Sequence, residues 1–283
     1  MTPNNSDRPR PGQYLDILLP PWVLFRHSLV FRQFLNRSIS RRYRLSVFGL
    51  LWTILVPLFT LVIYTFVFGV ILQSRWAGTD AASDTTSFGL YLFVGLLVFW
   101  LMADVVGRAP GAIIDYTNLV KKAVFPLEVL PLVTVGGAVF HALISTGVLL
   151  VAVMVIKGAI PVTALYAPLI FLPFILLLLG LSWLLSAIGV FFRDIQHIVG
   201  LLMTGVLFLS PIFYSIDRLG PGLQTVIMFN PVTFLVLQLR RVLLDGLQPD
   251  WVGLALYTAV AWIVASVSLL FFRYARKSFA DVL

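Results

Sequence analysis

The sequence predicts an all-α membrane protein that crosses the bilayer several times. Of its 283 residues, 60% are hydrophobic and only 11% are charged, whereas soluble domains carry about 25% charged residues. Seven stretches without Asp, Glu, Lys or Arg are long enough to span a bilayer, which takes about 20 apolar residues. An ordinary soluble enzyme is excluded, because so few charged residues cannot form the polar surface that such a protein needs.

The N-terminal region divides into a polar arm and a basic, amphipathic segment. Residues 1–14 are polar and contain three prolines, and we expect them to be disordered. Residues 15–44 interleave apolar side chains with arginines. These are Arg26, Arg32, Arg37, Arg41, Arg42 and Arg44. At helical spacing the pattern predicts a helix in the membrane interface, where anionic lipid headgroups attract arginine. The alternative is a solvated basic segment that only sets the topology.

Within the predicted transmembrane domain, residues 45–283, six of the seven apolar stretches are interpreted as spans. They cover 46–72, 86–107, 129–156, 164–192, 197–216 and 251–272. The exception is 219–239, where Asn230 and Pro231 form a turn signal and the proline removes a helical hydrogen bond. We predict two short external helices there, between transmembrane helices 5 and 6. They would re-enter the outer membrane face without crossing, sheltered by protein; a seventh span is the alternative.

The distribution of positive charge predicts that both termini are cytoplasmic. With six spans, the inner segments hold 15 Lys and Arg residues and the outer segments hold 5, in line with the positive-inside rule. A seven-span topology divides them 14 to 6, so charge alone hardly separates the six-span from the seven-span topology. The Asn-Pro break decides in favour of six spans. The net charge of +8 therefore reflects topology and does not indicate nucleic-acid binding.

Motifs that would supply chemistry or energy are missing from the sequence. It has no GxxxxGKS or GxxxxGKT phosphate loop, no GxSxG, no HExxH and no cysteine, so neither ATP binding of that kind nor a metal site is expected. Asp104 is the one acid inside a predicted span, and we expect it to be wetted or to pair with Arg108 rather than to relay protons. The remaining possibilities are a passive channel, a secondary transporter or one subunit of an energy-driven transporter. Secondary transporters often show internal repeats and midplane ionisable residues, and neither is visible here.

Four local patterns carry a resemblance to a known family. They are Arg42-Tyr43-Arg44 leading into Leu51-Trp52 and Pro57, the run from Asn118 to Pro131, Phe191-Phe192-Arg193-Asp194-Ile195 followed by Ser210-Pro211-Ile212-Phe213-Tyr214, and Asn230-Pro231 with a helix to Arg240-Arg241. In this order, from about residue 20 to the C-terminus, they closely resemble the membrane subunit of bacterial polysaccharide ABC exporters. That family includes the O-antigen (Wzm-like), capsular polysaccharide and teichoic acid export permeases.

The resemblance implies a non-catalytic transport subunit in the bacterial cytoplasmic membrane. It implies a homodimer of this chain with two ATP-binding cassette subunits, which would bind Mg and ATP, so that no cofactor or metal is expected on this chain. It also implies a lipid-linked glycan as cargo, moved to the outer leaflet. The missing phosphate loop requires such a partner if ATP is the fuel.

The resemblance further assigns roles at the inner membrane face. The residues expected to couple to the ATP-binding subunit are Asn118, Lys121, Lys122, Phe125, Arg193 and Asp194. The two lysines would be charged docking points, Phe125 an apolar anchor, and Asn118 can cap a helix start or a turn. Alternatively, the lysines only obey the positive-inside rule, and the Arg-Asp pair forms a local salt bridge or a helix cap.

Other residues are expected to handle the cargo. Arg41, Arg42 and Arg44 suit the pyrophosphate of a lipid-linked sugar, because guanidinium groups bind phosphate oxygens in pairs, although interfacial anchoring explains them nearly as well. The aromatic residues expected in a channel are Trp52, Tyr64, Phe99 and Trp100; an aromatic belt facing lipid is the simpler explanation for each ring. By the resemblance, an external gate comprises Pro211, Tyr214, Asn230 and Pro231.

Other functional classes are compatible with the sequence. A permease of a drug or small-lipid ABC exporter would share the topology. An integral-membrane enzyme of lipid-linked sugar metabolism would need clustered polar residues at one membrane face, and the sequence offers no convincing set. A scaffold or passive channel would need no ATP-binding partner.

Overall fold

The computed structural model of the protein describes residues 20, 22–43, 48–71, 85–121 and 125–283, and every regular element in these ranges is helical. The helices are α1 (Trp22–Arg26), α2 (Ser28–Tyr43), α3 (Trp52–Tyr64), α4 (Thr85–Arg108), α5 (Thr117–Val120), α6 (Val129–Lys157), α7 (Ala167–Phe191), α8 (Ile195–Leu209), α9 (Pro221–Met228), α10 (Pro231–Leu243), α11 (Trp251–Ala275) and α12 (Phe279–Val282). Short 3₁₀ turns cover Gly49–Leu51, Ala109–Gly111, Ile114–Tyr116, Val162–Tyr166, Ile216–Arg218 and Arg276–Ser278. The predicted all-α class is therefore confirmed for the described ranges.

Among the described residues, five helices are long and apolar enough to cross a membrane. They are α3, which continues as a π-helix over Thr65–Ile71, and α4, α6, α7 and α11. These helices correspond to five of the six predicted spans, although α3 begins only at Trp52. The predicted polytopic membrane architecture is confirmed, and the segment between α8 and α11 departs from simple crossing helices.

α4 lies at the centre of the bundle. Its residues 88–99 are all buried, because α3, α6, α7, α8 and α10 pack around it. Beside it, α7 packs along α11, with the large side chains of Trp183 and Phe272 completely buried. α3 differs, since most of its apolar side chains are exposed on the surface of the chain. The core therefore lies among α4, α6, α7 and α11, and α3 is peripheral.

The described part of the basic N-terminal segment is helical and amphipathic. Phe31, Phe34 and Leu35 share one face of α2 and are partly buried, and Phe31 and Leu35 approach Gly136 of α6. Arg26, Arg32 and Arg37 are exposed. Of the helix predicted over 15–44, the described residues form α1 and α2, with a turn at His27 between them. Residues 1–14, Arg44 and the side chains of Arg41 and Arg42 lie outside the described part of the protein.

α8 is shorter than the fifth predicted span, which was placed at 197–216. It has 15 residues and is therefore about 22 Å long, less than the roughly 30 Å of a hydrocarbon core. The helix ends because Ser210 is extended, with ψ at 145°, and Pro211 follows it. The residue before a proline is sterically pushed out of the α region, so the apolar stretch continues past 209 but the helix does not.

α9 and α10 are two short helices separated at the Asn-Pro break, as predicted. Their axes differ by 97°. Asn230 caps α10, since its Oδ1 accepts a hydrogen bond from the Val232 amide at 3.0 Å, and its Nδ2 donates to the Ser210 hydroxyl at 2.9 Å. Pro231 occupies the first turn of α10, where a missing amide proton costs nothing. The turn is thereby tied to the end of α8.

Arg240 of α10 supplies the partners that the irregular backbone needs. Its side chain is only 3% exposed. Nε donates to the Tyr91 carbonyl at 2.9 Å, Nη1 to the Pro211 carbonyl at 2.7 Å and Nη2 to the Ile212 carbonyl at 3.2 Å. A Cβ at Gly95 would lie 3.1 Å from Nη2, so glycine leaves room for the guanidinium. Non-helical backbone at membrane depth is tolerated only where protein or trapped water satisfies it, and Arg240 meets that requirement.

A second set of contacts holds the C-terminal end of α10. Lys157 Nζ donates to the Leu244 carbonyl at 2.7 Å, and the Thr163 hydroxyl donates to the Val242 carbonyl at 2.7 Å. The Tyr91 hydroxyl donates to the carboxylate of Asp245. Burial raises the pKa of the Asp245 carboxyl above its ordinary value, while Tyr91 and Lys157 act in the opposite direction. The last carbonyls of this helix, which have no intrahelical donor, are thus satisfied by side chains from outside it.

We expect Arg240→Met to destabilise the protein strongly, because it leaves the non-helical carbonyls of Pro211 and Ile212 without their side-chain donor. Each unsatisfied buried group costs about 1–3 kcal/mol, and thermal unfolding of the detergent-purified chain measures the loss. Arg241→Met is the matched control, since Arg241 is exposed and bonds only to the Gln248 carbonyl, at 3.3 Å. Equal melting temperatures for the two variants would contradict this role of Arg240.

Candidate functional site

The loop between α4 and α6, called the inner loop because the predicted topology puts it on the cytoplasmic side, rests on α7. It consists of the 3₁₀ turns Ala109–Gly111 and Ile114–Tyr116 and the short helix α5. Pro110 lies directly on Gly189 of α7, where an added Cβ would come within 2.2 Å of the Pro110 carbonyl oxygen. Since that neighbour is backbone, only glycine permits this approach. The loop therefore lies on a fixed platform at the inner end of the bundle.

The predicted coupling residues of this loop occupy different environments. Asn118 and Lys121 are exposed, Phe125 is half-buried, and Lys122 lies outside the described residues. The Phe125 ring centroid is 5.3 Å from that of Phe34 in α2, so this side chain joins the inner loop to the amphipathic helix. The expectation that Asn118 caps a helix start is wrong: Tyr116 occupies the N-cap position of α5, and Asn118 is the second residue of that helix.

Arg193 and Asp194 form an exposed inner turn between α7 and α8. Asp194 occupies the N-cap position of α8, but its side chain accepts no capping hydrogen bond; its backbone carbonyl accepts one from the His197 amide at 3.0 Å. Within the described chain no ion pair joins the two side chains. The local roles considered for this pair, salt bridge and side-chain cap, are not formed, and both side chains remain available at the inner face.

Glu128 anchors the end of the inner loop, a feature that the sequence reasoning missed. Its carboxylate is bound by Arg276 Nη1 at 2.8 Å and approached by Arg273 Nε at 3.5 Å, both near the end of α11. Its backbone carbonyl accepts a hydrogen bond from Trp183 Nε1 at 3.1 Å. The side chain is 7% exposed. A lone acid inside the apolar run from Phe125 to Pro131 is the signal that could have indicated it, because a buried carboxylate requires a partner.

The four predicted channel aromatics lie in three places. Trp52 and Trp100 line one groove of about 470 Å³ between α3, α4 and α6. Tyr64 stacks on Phe68 at 5.9 Å, further along α3. Phe99 is 8% exposed and packs in the core. The structure therefore brings together only the two tryptophans.

Polar side chains share that groove with the tryptophans. Thr53, Asp104, His141 and Ser145 are among its lining residues. Asp104 also forms an ion pair with Arg108, one turn further along α4, as predicted. A groove with two indole rings and several hydrogen-bonding groups can bind an amphipathic small molecule.

The predicted external gate residues belong to one connected structure. The Pro211 carbonyl is bound by Arg240, and the Pro231 carbonyl accepts a hydrogen bond from the Tyr257 hydroxyl at 3.2 Å. Tyr214 is half-buried, and its hydroxyl lies 3.4 Å from the Phe208 carbonyl. Phe229, at the tip between α9 and α10, is 85% exposed. Phe229 is therefore an exposed apolar side chain, and the hydrogen bonds from Arg240 and Tyr257 hold the backbone near it.

Comparison with known proteins decides the family. The sequence profile described as "ABC-2 type transporter" matches residues 30–244, most of the chain. The chain belongs to the ABC-2 type transporter family. This result confirms the resemblance seen in the sequence. The family is that of ABC transporter permease subunits, which are non-catalytic and work with an ATP-binding cassette partner. Together with the five long apolar helices, membership makes the chain a multi-pass protein of the inner membrane.

Several relatives cover nearly the whole of this ABC-2 permease. An O-antigen export system permease protein RfbA of Klebsiella pneumoniae is 27% identical over 88% of this chain and 92% of its own length. The protein of the same name from Myxococcus xanthus is 27% identical over 91% of this chain and 96% of its own length. The polysialic acid transport protein KpsM of Escherichia coli is 23% identical over 81% of this chain and 87% of its own length.

We expect Glu128→Gln to weaken the inner anchor. The substitution keeps the shape of the side chain but removes the charge that Arg276 and Arg273 neutralise, which should cost about 2 kcal/mol. Thermal unfolding of the detergent-purified permease measures it. Asp194→Asn is the control, because that carboxylate is exposed and caps nothing. A Glu128→Gln protein that unfolds at the same temperature as Asp194→Asn would show that the ion pair is dispensable.

Proposed function

We propose that this chain is the membrane subunit of an ATP-driven exporter that moves a lipid-linked polysaccharide across the cytoplasmic membrane. The observation that carries the proposal is its similarity, over 81–91% of the chain, to permeases named for O-antigen export and polysialic acid transport. Both cargoes are long, hydrophilic polymers. The fold is compatible with such a role, because it combines five long apolar helices with a helix pair bent by 97°.

ATP hydrolysis belongs to a separate chain in this proposal. The sequence has no phosphate loop, and Mg and ATP are bound by two partner subunits, with no cofactor on the permease. The partner docks on the exposed inner residues Asn118, Lys121, Arg193 and Asp194, with Lys122 beside them in the sequence. Their support is rigid, since the loop rests on α7 through Gly189 and is tied to α11 through Glu128. Movement of the partner is thereby passed to the transmembrane helices.

The transport path lies between two copies of the chain. α3 exposes large apolar side chains such as Phe59 and Phe66, and α8 exposes Leu201 and Phe208. Such peripheral helices suit an interface with a second copy around a shared path. The arginines of the basic N-terminal segment, among them Arg41, Arg42 and Arg44, attract the pyrophosphate of the cargo. Both termini are cytoplasmic in this arrangement, and the re-entrant pair α9–α10 gates the outer end.

Deletion of the gene in its native host tests the function. We expect lipid-linked glycan to accumulate inside the cells and the surface glycan to be lost, because synthesis continues without export. Glycan is measured by surface labelling of intact cells and by extraction of the membrane lipids. Complementation with the intact gene should restore the surface glycan. Normal surface glycan after a clean deletion would contradict the proposal, and loss of drug or small-lipid efflux alone would favour the alternative exporter class.

A charge-reversal variant tests docking separately. We expect the triple variant Lys121→Glu, Lys122→Glu and Phe125→Ala to reduce co-purification of the ATP-binding subunit at least fivefold. The variant reverses two positive charges and removes the apolar anchor. Arg241→Glu, on the opposite end of the bundle, is the control and should leave co-purification unchanged. Undiminished co-purification of the triple variant, with full export, would contradict the docking role of this loop.

A further inference from the structure

We propose that the groove between α6, α7 and α11, hereafter the acyl groove, holds one acyl chain of a membrane phospholipid. The inference goes beyond the proposed function, because it concerns a lipid that stays with the permease and is not transported. The acyl groove has a volume of about 670 Å³, which lies in the range of small-molecule sites. Leu24 and Phe25 of α1 and Phe31 of α2 complete its wall.

The acyl groove has the depth of one membrane leaflet. Its lining side chains run from Leu169 to Leu179 in α7 and from Trp251 to Trp262 in α11. At 1.5 Å per residue each of these stretches is about 15 Å long, which is half of the roughly 30 Å hydrocarbon core. The groove therefore lies in the leaflet where α7 and α11 begin. In the predicted topology this is the outer leaflet.

The lining of the acyl groove stops where α7 and α11 are in direct backbone contact. Gly180 follows Leu179, and a Cβ added to Gly180 would lie 2.9 Å from the Ala265 Cα. Since that neighbour is backbone, no other group fits between the two helices at this level. A chain that enters along α7 and α11 therefore ends near the middle of the bilayer, where an acyl chain of one leaflet ends.

The walls of the acyl groove offer almost nothing to a polar ligand. Nearly all of the lining side chains are aliphatic or aromatic. The only hydroxyl among the described lining residues, that of Thr258, donates to the Leu254 carbonyl at 2.7 Å, which is a common arrangement for threonine in a helix. A sugar or a phosphate would lose its hydrogen bonds to water here without replacement, which costs free energy. An acyl chain has no such bonds to lose.

Groups suited to a lipid headgroup lie at the opposite end of the acyl groove. Trp251 lines the groove where α11 begins, is 43% exposed and packs edge-on against Tyr166, with ring centroids 5.3 Å apart. Tryptophan and tyrosine are typical of the membrane interface, where their polar atoms meet the headgroups. The Arg241 guanidinium bonds to the Gln248 carbonyl, three residues before Trp251, and adds a positive charge at this end. A phosphate ester matches this combination of groups.

The location of the acyl groove favours a bilayer phospholipid over the cargo or a second copy of the chain. None of the described lining residues belongs to α3 or α8, the helices that we propose to face a second copy and the transport path. The groove therefore opens to the surrounding bilayer, in which phospholipids are in large excess over any lipid carrier. A phospholipid is the occupant that this side of the bundle meets.

A bound acyl chain would support the amphipathic helix. Gly136 of α6 and Phe31 of α2 are in contact and both line the acyl groove. Phe34, one turn further along α2, packs against Phe125 of the inner loop with ring centroids 5.3 Å apart. A chain that fills the groove therefore packs against α2 and, through α2, steadies the inner loop. We expect the lipid to raise the thermal stability of the permease.

Native mass spectrometry of the detergent-purified permease tests the site. Ala255 lines the acyl groove and its neighbour Leu256 does not, although both are exposed. We expect Ala255→Trp to fill the groove and to lower the fraction of permease that retains a phospholipid at least fivefold, while the matched Leu256→Trp leaves that fraction unchanged. Leu172→Trp fills the same groove from α7 and should act like Ala255→Trp. The retained lipid is released from the complex and identified by its fragment masses.

Thermal unfolding after lipid addition is the second measurement. Palmitoyl-oleoyl-phosphatidylglycerol is added to delipidated permease, and we expect the melting temperature of the unchanged chain and of Leu256→Trp to rise by roughly 3 °C or more. Ala255→Trp and Leu172→Trp should show no such rise. Equal retention of phospholipid by the groove variants and the control would overturn the acyl groove, as would an equal rise in their melting temperatures. Retention of a polyprenyl-linked species in place of phospholipid would overturn it too.

Discussion

The structure depends on one constraint: backbone that leaves helical geometry inside a membrane needs hydrogen-bond partners from the protein. Arg240 supplies them, binding the carbonyls of Tyr91, Pro211 and Ile212 with one buried guanidinium. Because of this, α8 can stop after 15 residues, and the chain can continue into the bent helix pair α9–α10. Asn230 closes the turn onto Ser210, so the outer end is an ordered structure held by polar contacts and not a loose loop.

The inner end is held in a corresponding way by charge. Glu128 joins the inner loop to the end of α11 through Arg276 and Arg273, and to α7 through Trp183. Polar anchors therefore fix both ends of the core helices, while their middle parts pack through apolar contacts. α3 lies beside this frame, with an exposed apolar surface and, on its flank, the groove that Trp52 and Trp100 line. A helix in that position can contact cargo or a second copy while the frame transmits force.

Sequence reasoning predicted the features that depend on local pattern. Apolar length located five long apolar helices, and Asn230-Pro231 located the break between α9 and α10, because a proline break acts on its own helix. The predicted end of the fifth span was wrong, since hydropathy runs past Ser210 and the geometric effect of Pro211 was not weighed. The ion pair of Glu128 and the hydrogen bonds of Arg240 were not predicted, because the partners are far apart in the sequence. Glu128 and Arg276 lie 148 positions apart, and Arg240 and Tyr91 lie 149 apart. Nor could a pattern show that Trp100 lines a groove while its neighbour Phe99 is buried.

The central claim, ATP-driven movement of a lipid-linked glycan by this ABC-2 permease, is tested most directly in liposomes. The permease and its ATP-binding partner are reconstituted with lipid-linked glycan from the host, with the nucleotide-binding side facing outwards. Accessibility of the glycan to an added glycosidase is then measured over time. The account predicts that Mg-ATP makes the glycan progressively protected, because it is moved to the inner leaflet, and that a non-hydrolysable ATP analogue does not. Glycan that stays equally accessible while ATP is hydrolysed would contradict the claim.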